Sequence, residues 1–185
     1  LYAAGEQLFS HADHSFAAAT GRYAGRKAAD YASQIVPGKV SRDQIVVEKK
    51  RVYAPIKRSS GIEWKELNAG IARVMQYFCS EYKTELLLNM GLDALREIEE
   101  VFVPRLRALD PHKLMRSIED LSMLAHGQMV FHASLARKAS SSSLNFYRID
   151  YPALDPAEWN KYISIRLEND RVKTAEYPLN FWGDM

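Results

Sequence analysis

Two groups of residues in this chain have side chains and spacings that suit anion binding or proton transfer. The first runs Ala136-Arg137-Lys138-Ala139-Ser140, then through the serines to Tyr147-Arg148-Ile149-Asp150-Tyr151-Pro152, Asp155-Pro156 and Trp159. A guanidinium stays charged and grips a carboxylate, phosphate or sulfonate through two hydrogen bonds, which makes Arg137 and Arg148 candidate binding residues. Arg148 with Asp150 also reads as an ion pair steadying a turn, the better reading of Asp150, and Trp159 reads as a core anchor. The second group is Gly5-Glu6 and His14-Ser15-Phe16, followed by Gly21-Arg22-Tyr23-Ala24-Gly25-Arg26. His14 stands close to a helix start, where free N–H groups and partial positive charge suit an anion or an electron-rich oxygen. The plainer reading is that Gly21 and Gly25 only allow close packing and that His14 caps the helix or lies on the surface. Spacing alone favours that plainer reading for His14. A zinc site from His11, Asp13 and His14 lacks a fourth ligand, and its spacing is generic.

The elements that must position these groups follow from periodicity. Residues 1 to 5 read as a short buried strand ending at a glycine, followed by a loop that holds His11. A helix is expected from about His14 to Ile35, with Ala17, Gly21, Ala24, Gly25 and Ala28 forming one narrow face. Pro37-Gly38 marks a boundary. Ser41 is a helix N-cap, and Pro55 ends that helix. Ser59-Ser60-Gly61 is a turn. The next helix, about Glu63 to Tyr82, carries Leu67, Ile71, Val74, Met75 and Phe78 on one face. After a break near Met90-Gly91, a helix from about Leu92 to Leu106 presents Leu95, Ile98, Phe102 and Leu106, with Pro104 in its last turn. Asp110-Pro111 opens a helix running to about Lys138, with an inner face of Leu114, Ile118, Leu121, Ala125, Met129, His132 and Leu135. Beyond the serines the period changes to two: Ile163, Ile165 and Leu167 alternate with polar residues. Asn169-Asp170 supplies a turn, and Val172 with Tyr177 suggests a returning strand.

The expected fold is mainly α. An antiparallel three-helix bundle over residues 37–143 follows a strand and helix over residues 1–36 and precedes an extension with a β-hairpin over residues 144–185. The hairpin, with Trp159 and Trp182, is expected to pack on the bundle or on a neighbouring domain.

The 185 residues carry 25 basic and 23 acidic side chains, well mixed, for a net charge of +2. Nucleic acid is not an expected partner, because a phosphate-binding surface needs a clustered basic excess. The runs Glu48-Lys49-Lys50-Arg51 and Lys57-Arg58 read as solvated helix faces. Cys79 is the one cysteine and reads as a buried structural thiol. Met75, Met90, Met115, Met123 and Met129 fit a packed core. No run approaches the ~18 apolar residues of a membrane span, and the start lacks the pattern of a signal peptide. Opening at Leu1 with a strand that has no neighbour of its own, the chain reads as the C-terminal part of a longer polypeptide.

In their order and separation, the two groups resemble the end of the flavoprotein subunit in the succinate dehydrogenase, fumarate reductase and adenylylsulfate reductase family. There a strand ending in A-x-G/A-E/D leads, through a loop with a histidine, into a helix marked G-R-x-A-G. Far downstream an A-R-K-E-S-R-like segment precedes an R-x-D-Y/F-P turn and a D-x-x-x-W. Arg137 matches the first arginine of that segment, Ala139 stands at the usual glutamate, and the second arginine falls at Ser141 or Ser142. Arg148 and Asp150 match the R-x-D.

The resemblance covers nearly the whole chain and makes residues 1–36 the tail of an FAD-binding domain. It implies a C-terminal fragment of an FAD-dependent oxidoreductase subunit, in which a flavin passes electrons between a substrate and an iron–sulfur partner subunit. It also places Gly5, Glu6, Ser15 and Phe16 at the cofactor, with Glu6 holding ribityl or ribose hydroxyls. His14 falls where adenylylsulfate reductases carry a histidine facing flavin and substrate, which reverses the preference from spacing. Arg137 and Arg148 fall near the domain interface and the substrate. No cysteine cluster occurs, so any iron–sulfur centre belongs to another chain. The expected partners are that subunit and the remainder of the flavoprotein chain, at a cytoplasmic site or peripherally on the cytoplasmic membrane face. The phosphate-cradling G-x-G-x-x-G is absent, so this polypeptide alone is expected to bind no FAD and to catalyse nothing.

The departures bear on the substrate. Dicarboxylate enzymes follow the acidic residue with a segment like H-G-A-N-R-L-G-x-N-S, whereas this chain has no arginine before Arg22. Its His14-Ser15-Phe16 is closer to the H-K-F-S-S-G of adenylylsulfate reductases, with serine for lysine. The competing class is a non-catalytic helical module that docks a partner protein through its long helices.

Overall fold

The computed structural model describes residues 2–7, 13–36, 38–169 and 171–179. The chain divides into two compact units, Leu1–Ile45 and Val46–Met185. Leu1, His11, Pro37, Asp170 and Trp182, each named in a sequence expectation, lie outside the described residues.

In the first unit the expected strand is not formed. Tyr2 to Ala4 belong to no strand and lead into a 3₁₀ turn, Gly5–Gln7. A strand needs a neighbour to satisfy its N–H and C=O groups, and the described residues of this unit offer none. The segment instead lies along the helix α1, His14–Gln34. The Tyr2 hydroxyl donates to the carbonyl of Lys27 at 3.1 Å, and the Tyr2 ring meets Tyr31 edge-on. Helix α1 forms where the sequence places it, capped by Asp13, and buries none of its residues within the unit. A Cβ built on Gly21 or Gly25 would meet nothing within 4 Å, so the small-residue face is open here. Ser41 caps helix α2, Arg42–Tyr53, accepting the Gln44 N–H at 3.3 Å.

The second unit is organised by three helices: α3, Trp64–Phe78; α4, Glu85–Glu97; and α5, Pro111–Ala136. Consecutive helices run antiparallel, as short connections require. Contacts between α3 and α5 advance along both helices together, from Glu63 on Lys113 through Asn68 on Asp120 to Cys79 near Ser134. These two helices therefore run in the same direction. Leu67, Ile71, Leu88, Leu92, Leu95, Leu124 and Phe131 form the core.

Three details differ from the sequence reading. First, α4 passes straight through Met90-Gly91. Gly91 is not a break but a close approach, because a Cβ there would lie 2.3 Å from Cε1 of Phe131 and 2.8 Å from the Cβ of Phe78. The helix then widens into a π turn over Ile98–Phe102 and tightens to 3₁₀ over Val103–Arg105. Proline has no N–H and clashes with an α-helical carbonyl four residues back, so Pro104 forces this change of winding. Second, α3 stops at Phe78, and Tyr82–Lys83 becomes a strand, β1. Its parallel partner β2 is Tyr147–Arg148, with Tyr82 opposite Tyr147 and Lys83 opposite Arg148. Third, the inner face of α5 is rotated from the one expected. Leu114, Ser117, Asp120, Leu124, Gly127, Phe131 and Ser134 are buried, whereas Ala125 and Met129 face outward. Met90, Met115, Met123 and Met129 are 42–47% exposed, so of the five methionines read as core only Met75 packs there. The final hairpin is as expected. Strands β3, Lys161–Glu168, and β4, Arg171–Pro178, pair antiparallel and pack on α5.

Asp120 is an acid in this apolar setting and is 1% exposed. Asn68 donates to its Oδ1 at 2.9 Å, while Oδ2 is buried without a partner. Burial raises its pKa above the usual 3.8, since the charged form loses its hydration. Stability from this group is full below that usual value and falls as pH rises through the folded value. Asp120→Asn should therefore unfold at a higher temperature than the wild type near neutral pH, with the gap closing toward pH 4, read by thermal melts across pH. Gly91→Ala should destabilise the unit by about 1–3 kcal/mol in denaturant titration, because Phe131 cannot move without opening the core.

Candidate functional site

Helix α5 ends at Ala136, leaving terminal carbonyls that need donors. Arg148 supplies them: its Nη1 donates to the carbonyl of Ser134 at 2.6 Å and to that of Arg137 at 2.9 Å. Its Nε and Nη2 donate to the two oxygens of Asp150 at 2.8 and 2.7 Å, a bidentate pair. The Tyr151 ring lies against the guanidinium, and the residue is 1% exposed. Arg148, expected with Arg137 near a substrate, thus sits inside the unit with all three guanidinium nitrogens committed. Asp150 matches its structural reading and does more. Its Oδ2 accepts the N–H of Glu85 at 2.8 Å, at the first turn of α4. A cation thus meets the negative end of α5 and an anion the positive end of α4, both favourable with the helix dipoles. The Arg148 contact holds the Asp150 carboxyl at about 2, well below the usual carboxylate range.

The serine run, which carried no functional expectation, completes this junction. Ser140 and Ser141 are buried. The Ser140 hydroxyl accepts the Arg148 N–H at 2.8 Å and donates to the Tyr151 carbonyl at 2.9 Å. Ser141 and Ser142 donate through their hydroxyls to Asp155 at 2.5 and 2.8 Å. These bonds, that from Ser141 foremost, hold Asp155 below its usual pKa. Asp155 has φ 46°, a left-handed conformation that aspartate tolerates. Such spacing is local and polar, so hydrophobic period carries no signal of it.

Arg137 is placed differently. It is half-buried, its Nη1 donates to the Trp159 carbonyl at 3.3 Å, and its guanidinium lies 5.8 Å from the Trp159 ring. Lys161 lies over the same ring at 4.3 Å. Trp159 is accordingly not the core anchor expected but a half-buried platform between two cations. Arg137, Trp159 and Lys161 line a cleft of about 590 Å³ with Ser143, Asn160 and Tyr162. Of the two arginines singled out, Arg137 is the one with access to an open cavity.

In the first unit, His14 is the exposed first residue of α1, and Glu6 is exposed in the 3₁₀ turn. Gly5 is buried with φ 62°, and its N–H donates to the Thr20 hydroxyl at 2.9 Å. The Phe16 N–H and the Ser15 hydroxyl both donate to the Asp13 carboxylate, each at 2.7 Å. Those two bonds, that from Phe16 first, hold Asp13 below its usual pKa. The first turn of α1 therefore already carries a carboxylate cap on one of the donors expected to face a ligand. Among the described residues no group of three or more His, Cys, Asp and Glu could hold a metal ion. None of their helices is long and apolar enough to cross a membrane.

No family model and no curated protein sequence matches the chain. Solved structures do match its fold. Adenosine-5-phosphosulfate reductase in complex with sulfite superposes with a TM-score of 0.80 over 93% of this chain at 23% identity. Quinol-fumarate reductase with menaquinol molecules gives 0.77 over 96% at 22%, and Mycobacterium smegmatis Sdh1 in complex with UQ1 gives 0.76 over 95% at 23%. The chain spans 29%, 33% and 32% of those chains, respectively. The mainly helical fold with a terminal hairpin is thus the fold of a corresponding part of these oxidoreductases.

The Arg148–Asp150 pair makes an acid-sensitive junction. A lowered folded pKa gives stability that is present above the unfolded value of 3.8 and is lost as pH falls through about 2. Asp150→Asn should remove that part of the acid-unfolding profile, measured by circular dichroism between about pH 5 and pH 2. Asp150→Ala should cost about 2–3 kcal/mol at neutral pH, since it leaves a buried guanidinium without its counter-ion.

Proposed function

We propose that this chain is the C-terminal part of an FAD-dependent oxidoreductase subunit, similar to the flavoproteins that reduce adenylylsulfate or interconvert fumarate and succinate. The observation that carries the reading is the likeness of nearly the whole chain to about a third of each of three oxidoreductases. The order of the sequence motifs supports it independently. A flavin, when bound by the whole subunit, would supply the redox chemistry and pass electrons to an iron–sulfur partner.

The residues present fit an edge of such a site, not all of it. Glu6 is exposed in the 3₁₀ turn, and its carboxylate is proposed to hold ribose or ribityl hydroxyls. His14, Ser15 and Phe16 form the first turn of α1, with the His14 ring free of the packing that would make it structural. His14 is proposed to face the substrate side and to hold or deliver a proton there. Arg137 is proposed as the anion-gripping residue, because it lines a cleft. Arg148 is assigned to positioning: through the Arg137 carbonyl and the end of α5 it fixes where Arg137 starts. The runner-up is a helical docking module without catalysis, which the exposed methionines of α5 favour.

Two measurements separate these readings. Incubated with FAD and then desalted, the purified 185-residue chain should come off colourless. A yellow, flavin-loaded product contradicts the assignment of this chain as an edge only. In the whole flavoprotein, chemically reduced without oxygen, adenylylsulfate or fumarate should reoxidise the flavin rapidly, read by absorbance. Reoxidation by adenylylsulfate alone supports the sulfur-side reading. His14→Ala should then slow that step by about 10²-fold or more with flavin content unchanged. Failure with both substrates removes the proposed substrate classes, and a subunit without flavin returns the reading to a docking module.

A further inference from the structure

A groove on the second unit combines exposed apolar side chains with unpaired positive charge. Val46, Lys49, Lys50 and Tyr53 stand at i, i+3, i+4 and i+7 on α2 and so share one face. After Tyr53 the chain turns through a 3₁₀ turn, Pro55–Lys57, which brings Ile56 and Lys57 alongside as a second wall. The groove is open to solvent and has a volume of about 370 Å³. Val46, Tyr53 and Ile56 are 38–49% exposed and form an apolar floor.

The walls are fixed before anything binds. Pro55 is buried, and its carbonyl accepts the Ala108 N–H at 3.0 Å. Arg58, just beyond the turn, donates to the Leu106 carbonyl at 2.5 Å. The nearby acid cannot neutralise the rim, because Glu48 is taken by Arg51 at 2.6 Å. Among the described residues none of Lys49, Lys50 and Lys57 is in an ion pair. Apolar anchors surrounded by three free ammonium groups ask for an apolar side chain flanked by carboxylates.

We propose that this groove docks an acidic segment of a partner protein, an apolar residue seated over Tyr53 with aspartates or glutamates reaching Lys49, Lys50 and Lys57. The concavity favours a protruding peptide over an anionic bilayer, which is flat and is met by side chains that project. The proposal stands apart from the flavoprotein reading, because it uses no residue assigned to the cofactor or the substrate.

The test is a photocross-link in the native cells, with p-benzoylphenylalanine in place of Tyr53 and the adduct sequenced by mass spectrometry. The expected result is one peptide from a different protein, rich in Asp and Glu around an apolar residue. Its yield should fall at least about tenfold in the Lys49→Glu, Lys50→Glu, Lys57→Glu variant and fall with added salt. These lysines are exposed and unpaired, so that variant should melt as the wild type does, which a thermal scan verifies. An adduct with lipid, with this chain's own peptides or with a segment lacking acids overturns the proposal. So does the absence of any adduct, or a yield indifferent to the charge reversal.

Discussion

A single buried guanidinium sets the constraint under which the second unit is built. Taking an arginine out of water is expensive, and the penalty is offset only if its donors find good acceptors. Arg148 finds them at a helix C-terminus, where carbonyls lack partners, and in a carboxylate two residues on. That carboxylate is drawn to a helix N-terminus by the same logic with the sign reversed. Four unsatisfied requirements cancel in pairs at one place. The parallel pairing of β1 with β2 follows, since the Lys83 carbonyl accepts the Ile149 N–H and fixes Arg148 in depth. Lysine could not substitute: it has no planar fork to serve a carboxylate and two carbonyls at once.

The second constraint is the intimacy of α3, α4 and α5. Gly91 and Gly127 let aromatic and aliphatic groups from neighbouring helices come close to backbone, and Ser117 and Ser134 fill the same face without bulk. Asp120 is the exception, a polar group with half its acceptors unserved. Ser117, Gly127 and Ser134 show that residues fit the inner face of α5 by size as well as by hydrophobicity.

This explains what was legible in the sequence. Caps and turns were clear, because Asp110-Pro111, Ser41 and the alternating Ile163, Ile165 and Leu167 each express a local rule. The face of α5 differs from the expected one because hydrophobicity alone favours Ala125 and Met129, whereas close packing admits the small Ser117, Gly127 and Ser134. Gly91 looked like a break because a glycine that relieves a contact and one that ends a helix read alike. The site was legible in its order, not in its geometry. Arg137 and Arg148 have the same chemistry on paper, and only the carbonyls at the end of α5 separate an enclosed arginine from one that borders a cleft. The two-residue strands are too short to leave a period, and the serine contacts depend on a partner, Asp155, more than ten residues away.

The Arg148–Asp150 junction also has a bearing on the order of synthesis. Both residues leave the ribosome after α3, α4 and α5 have been made, and until they do, the exposed end of α5 and the start of α4 lack their shared staple. The bundle is therefore finished from its trailing edge.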